Sequence, residues 1–140
     1  MKVLLPVDGS DYTKRMLSYI AAHDELLGAG HEYTFFTVVA PVPKYATRFL
    51  ERGTLDGFYA EQAELVLKPM REFVAQQHWN AQLLHAHGHP AEAIATQAAA
   101  MKPDLIVMGT HGHSALGSTI LGSVASGVLA RCKTPVLLIQ

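Results

Sequence analysis

The chain of 140 residues is 49% hydrophobic with a formal charge of −1. That is enough apolar matter for one sizeable core, with no charge excess that predicts a nucleic-acid or membrane surface. One cysteine excludes an intrachain disulfide and fits a reducing compartment. With no basic-then-apolar leader and no run of about 18 apolar residues, the expectation is a single soluble, cytoplasmic domain over residues 1–140.

Lys2 to Val7 is rich in Val and Leu and runs into Asp8-Gly9-Ser10. This predicts a buried strand, a turn and a helix capped by Ser10 or Asp11. Met16, Leu17, Ile20, Ala21 and Leu27 share one side of that helix, and Gly28-Ala-Gly30 is expected to stop it. Tyr33 to Val39, β-branched and aromatic, predicts the second strand. The Gly28-x-Gly30 pair follows a helix and precedes a strand, the reverse of the order in a dinucleotide fingerprint.

From Ala40 to Asp56 the periodicity breaks around Pro41, Pro43 and Gly53. A long irregular connection is expected there, a lid or an insertion. Lys44, Arg48 and Arg52 read more simply as solvated than as turned toward phosphates. Tyr59, Ala63, Val66, Leu67, Met70 and Val74 then form a helical stripe ending near His78, with Pro69 expected to bend it. Gln82 to His87 predicts a third strand. Pro90 suits the first turn of a helix that carries Ile94, Ala98 and Met101 and is closed by Pro103.

Leu105 to Met108 is a strand apolar on both faces, and Gly109 and Gly112 follow where the chain leaves the sheet. Gly122-Ser123 opens a last helix with Val124, Ala125, Val128, Leu129 and Cys132 on one face, and Val136 to Ile139 is a fifth strand. Strands and helices in alternation predict an α/β fold, an open parallel sheet with helices on both faces. A glycine loop leading into a helix N-terminus presents unpaired amides and a positive dipole end, which is how a phosphate-binding loop is built.

Gly109-x-x-Gly112, nine residues, then Gly122-Ser123 resembles the nucleotide-binding signature of the universal stress protein family. The likeness extends to Thr134-Pro-Val-Leu-Leu-Ile and to Leu4-Leu-Pro-Val-Asp-Gly-Ser, and is weakest from Val42 to Thr54. It implies a Rossmann-like five-stranded sheet of the adenine nucleotide alpha hydrolase-like type, in order 3-2-1-4-5, that binds ATP as a regulatory ligand. By this resemblance the phosphates lie against Gly109, Gly112, His113, Ser114, Gly122, Ser123 and Val124, with the Ser123 hydroxyl donating. Asp8 takes the ribose hydroxyls, Val7 and Val38 offer backbone groups to the adenine edge, and Pro6 and Met108 are apolar walls. Mg²⁺ or Mn²⁺ arrives with the nucleotide, held through its phosphates. The family also implies a homodimer, and pairing through Val136 to Ile139 would cover an apolar edge strand. An unidentified protein partner would sense the nucleotide through the 40–56 connection or the dimer surface.

Other readings carry less. His85, His87 and His89 alternate like metal ligands, but Gly88 and Pro90 end the strand before His89, and no cysteine or carboxylate joins them at ligand spacing. Asp8, His111 and Ser114 are the residue types of a hydrolase triad, yet all three types are common. The G-x-x-x-x-G-K-[ST] loop, its lysine and a G-x-S-x-G elbow are all missing. The expectation is a binding protein with slow hydrolysis at most. The alternatives are an ATP hydrolase or adenylyl-transferring enzyme on the same fold, and a nucleotide-free interaction module in which the glycines only pack. Cys132 reads as a small core residue.

Overall fold

Val3 and Leu5 point to one side of the first strand and Leu4 to the other, and all three are fully buried. A strand apolar on both faces must lie inside a sheet covered on both sides, and the rest of the chain supplies those covers. The structure, a computed structural model, describes residues 1–113 and 120–140. Its elements are β1 (Lys2–Pro6), α1 (Asp11–Ala22), β2 (Glu32–Val39), α2 (Lys44–Thr47), α3 (Arg52–Gln77), β3 (Asn80–His87), α4 (Pro90–Met101), β4 (Leu105–Gly109), α5 (Ser123–Arg131) and β5 (Val136–Ile139).

The five strands form a parallel sheet in the order β3-β2-β1-β4-β5, as expected. Met16, Leu17 and Ile20 of α1 and Ala63, Leu67 and Met70 of α3 pack on one face, against Val3, Leu5, Tyr33, Phe35 and Val107. Ile94 and Ala98 of α4 and Ala125 and Val128 of α5 cover the other face, against Leu4, Phe36, Ile106 and Met108. Tyr33 stacks on Trp79 at 3.9 Å between ring centroids and donates its hydroxyl to the Gly28 carbonyl at 2.6 Å. Among the described residues no helix is long and apolar enough to cross a membrane.

Ser10 caps α1, accepting from the Thr13 amide, as the sequence suggests. The other end of α1 differs from expectation. The helix stops at Ala22, well before Gly28, because the His23 ring turns back and Nδ1 donates to the Tyr19 carbonyl at 2.7 Å. A last-turn carbonyl thereby gains its partner from a side chain. Leu27 is fully buried all the same, from the turns that follow.

The segment from Ala40 to Asp56 is likewise more ordered than its composition suggests. Lys44–Thr47 forms one helical turn, and α3 begins at Arg52, inside the stretch expected to be irregular. The Val42 amide donates to the Tyr59 hydroxyl at 2.9 Å, which ties the segment down onto α3. Periodicity misses these turns because they bury little: Tyr45 and Phe49 are 75% and 80% exposed. Helix α3 continues through Pro69. The missing donor would have met the carbonyl of Leu65, an exposed residue that water can serve.

Phe35→Ala, which empties a fully buried position, is expected to lower stability by about 3–5 kcal/mol. Leu65→Ala, at a residue 73% exposed, should change it by no more than about 0.5 kcal/mol. Urea unfolding of the two variants beside the wild type makes the comparison.

Candidate functional site

Strand order reverses at β1: one crossover carries the chain outward through β2 to β3, and the other through β4 to β5. Loops leaving β1 and β4 therefore part in opposite directions, and a crevice opens beyond their carboxyl ends. A cavity of about 760 Å³ occupies that position, within the usual range for a small-molecule site. It is lined by Pro6, Val7, Asp8, Val38, Met108, Gly109, Gly112, His113, Gly122, Ser123 and Val124, all singled out from the sequence. The remaining candidate, Ser114, lies outside the described residues. Thr13, Ala40, Pro90, Ile94, His111, Leu121, Ala125 and Ser126 complete the lining among the described residues. Pro90 and Ile94 reach it because α4 starts directly beside the crevice, which no local pattern announces.

The cavity has three chemically distinct parts. Pro6, Val7, Val38, Ala40, Ile94 and Met108 make an apolar pouch next to the sheet. Asp8 supplies a carboxylate to the lining. Gly122 and the first turn of α5 form the third wall, and Gly122 brings no side chain to cap the amides of Ser123, Val124 and Ala125. Those amides have no intrahelical acceptor and sit at the positive end of the helix.

Asp8 is held tightly. Its Oδ1 accepts from the Ser10 amide at 2.9 Å and from the Thr13 hydroxyl at 2.9 Å, while its own amide donates to Thr13 Oγ1 at 3.2 Å. Its Oδ2 accepts from the His113 amide at 3.2 Å. Burial alone would raise this carboxyl; the hydrogen bonds from Ser10 and Thr13, with the His113 ring nearby, hold it below its ordinary value of 3.8. The group is thus ionised at neutral pH and fixed in place as an acceptor.

The loop glycines serve contacts within the protein itself. A Cβ at Gly112 would run into the Asp8 carboxylate, and one at Gly122 would come within 2.9 Å of the Thr110 carbonyl. The Gly122 amide already donates to that carbonyl at 2.7 Å. Packing therefore asks for glycine at both positions whatever the cavity holds. His111, beside them, has its Nδ1 3.0 Å from Thr110 Oγ1 and its ring 5.1 Å from that of Tyr12.

Histidines elsewhere have other surroundings. His87 stacks flat on Tyr59, with ring centroids 4.1 Å apart, and His89 is the cap residue of α4. Among the described residues no three of His, Cys, Asp and Glu gather as metal ligands. Cys132 ends α5 rather than lying within it, half-buried against the α4–α5 core, and burial pushes its thiol up.

The profile of the Universal stress protein family matches residues 1–140. The chain belongs to this family. It is 38% identical to a universal stress protein of Thermus aquaticus encoded in the QAH/OAS sulfhydrylase 3′ region, an alignment covering 99% of this chain and 97% of that one. Among solved structures, the universal stress protein UspA of Lactobacillus plantarum superposes with a TM-score of 0.79 at 22% identity, covering 100% of this chain and 97% of the other. Two further universal stress proteins share the fold. One is in complex with cAMP (TM-score 0.66, 23% identity, covering 100% of this chain and 96% of that one). The other, from Arabidopsis thaliana, has AMP bound (TM-score 0.69, 14% identity, 99% and 90%).

Because the folded Asp8 carboxyl titrates below its ordinary value, the stability it contributes is present above 3.8 and is lost as pH falls through the folded value. Urea unfolding of wild type and Asp8→Asn should show a gap that is constant from about pH 7 to about pH 5 and narrows in stronger acid.

Proposed function

We propose that this universal stress protein is a nucleotide-dependent regulatory module of the stress response that binds ATP in the cavity beyond β1 and β4. The observation that carries this reading is the meeting, in the lining of one cavity, of a fixed carboxylate, an uncapped helix N-terminus and a set of apolar side chains. A flat apolar base suits the pouch, ribose hydroxyls suit a carboxylate, and a polyanion suits the helix start. Two relatives with the same fold carrying AMP and cAMP support an adenine nucleotide.

In this reading the amides of Gly109, Gly112, His113, Ser123 and Val124 face the phosphates, and Ser123 adds a hydroxyl donor. Ser114 belongs to the same set by its place in the signature. Val7 and Val38 contribute backbone groups near the base, with Pro6 and Met108 as apolar walls. Mg²⁺ or Mn²⁺ would be held mainly by phosphate oxygens and water, which suits a cation that keeps several waters. The chain acts as one domain over residues 1–140, in the cytoplasm, as a homodimer paired through β5. That strand is the outermost of the sheet on its side, with Val136, Leu137 and Leu138 only half-buried, and pairing with its twin would cover them. A protein partner would read the occupied state.

Calorimetric titration with ATP and Mg²⁺ tests the site. Ser123→Ala removes one hydrogen bond to a charged group, worth about 1.5–3 kcal/mol, and should weaken binding roughly ten- to a hundredfold. Equal affinity would remove Ser123 from the site, and no heat from the wild type at millimolar ATP would end the reading. Native mass spectrometry of the same sample reports the dimer and any nucleotide it carries.

A further inference from the structure

The loop after β4 rests on Asp8 at three adjacent points. The His113 amide donates to Oδ2 at 3.2 Å, the His113 ring meets the Asp8 backbone carbonyl at 2.7 Å through Nε2, and Gly112 lies so close that any Cβ would strike Oδ2. A carbonyl only accepts, so Nε2 carries the proton in this contact. The other carboxylate oxygen, Oδ1, is already taken by Ser10 and Thr13 at the start of α1. Oδ2 takes the His113 amide on one lone pair and has Gly112 pressed against it, so a hydroxyl that approaches from the cavity either squeezes onto the second lone pair or displaces that amide.

We propose that the His113–Asp8 contact is a latch that makes this site select phosphorylated nucleotides over nucleosides. The inference rests on the nucleotide reading above and adds a cause of specificity to it. A nucleoside whose ribose hydroxyl displaces the His113 amide from Oδ2 gains one hydrogen bond and, as the latch opens, loses two, the amide's and the ring's. A nucleotide does more. Its phosphates, lying at the N-terminus of α5, offer anionic acceptors to the same loop. The released His113 amide and ring N–H turn from a carbonyl and a shared carboxylate to phosphate oxygens, which accept more strongly than a carbonyl. His113 is solvent-exposed, so little packing opposes the turn. His113 is a specificity-determining residue in this scheme: closed on Asp8 without phosphate, open with it.

The test is calorimetry of adenosine and of ATP with Mg²⁺ on the full chain, wild type and His113→Ala. The variant loses the ring contact and keeps the amide. Adenosine should bind the variant about two- to tenfold more tightly, the loss of one neutral hydrogen bond from the closed state. ATP should bind it more weakly, so the preference for ATP over adenosine shrinks by about tenfold or more. A preference unchanged in the variant, with ATP still bound by the wild type, overturns the latch and leaves the nucleotide site standing. A wild type that binds no ATP overturns both. Nitrogen-15 imidazole spectra of the unliganded wild type give a second readout independent of the variant's folding. The His113 ring should be protonated on Nε2 and shift on addition of ATP but far less on inorganic phosphate alone. A ring protonated only on Nδ1 overturns the proposal.

Discussion

One carboxylate holds the functional end of this molecule together. Asp8 stands where β1 ends, and its two oxygens tie down different parts of the chain: Oδ1 the first turn of α1, through Ser10 and Thr13, and Oδ2 the loop that follows β4, through His113. The partners are two, five and 105 residues away in sequence. A half-buried charge is costly unless donors meet it, and here three donors come from the elements that border the crevice. The demand of one group for donors therefore fixes where α1 starts and how closely the glycine loop approaches the sheet.

The sheet sets the stage for that group. Central strands buried on both faces leave β1 and β4 no freedom of register, so their carboxyl ends and the loops beyond them are placed by the core. Tyr59 adds a second anchor on the far rim, where its hydroxyl accepts from Val42 two residues after the cavity-lining Ala40. The crevice thus combines a rigid floor with borders held by a few hydrogen bonds.

Much of this was legible in the residues. Val-rich and Leu-rich runs marked the strands, and Gly109, Gly112 and Gly122 marked the loop, because both signals are local. Strand order was not local; alternation of strands and helices leaves several orders open, and 3-2-1-4-5 came from the likeness to a family. His23 ending α1 was missed because a ring bonded to a carbonyl four residues back competes with the glycines downstream, which look like the stronger stop. Helix in the 44–56 segment was missed because its apolar residues face outward, so no buried stripe betrays it. Thr13 and His113 as holders of Asp8, like Tyr59 under His87, depend on contacts between distant segments, for which composition has no sign.

On the opposite face, Gly127 lets α5 lie directly against α4; a Cβ there would come within 2.5 Å of that of Ala91. These two helices also frame the cavity through Pro90 and Ile94 on one and Ser123 to Ser126 on the other. Position 127 is therefore a spacer between the two helices that border the cavity, and it is itself outside the lining. A methyl group at that spacer would prise the pair apart and reshape the chamber, with every residue that lines it left as it was.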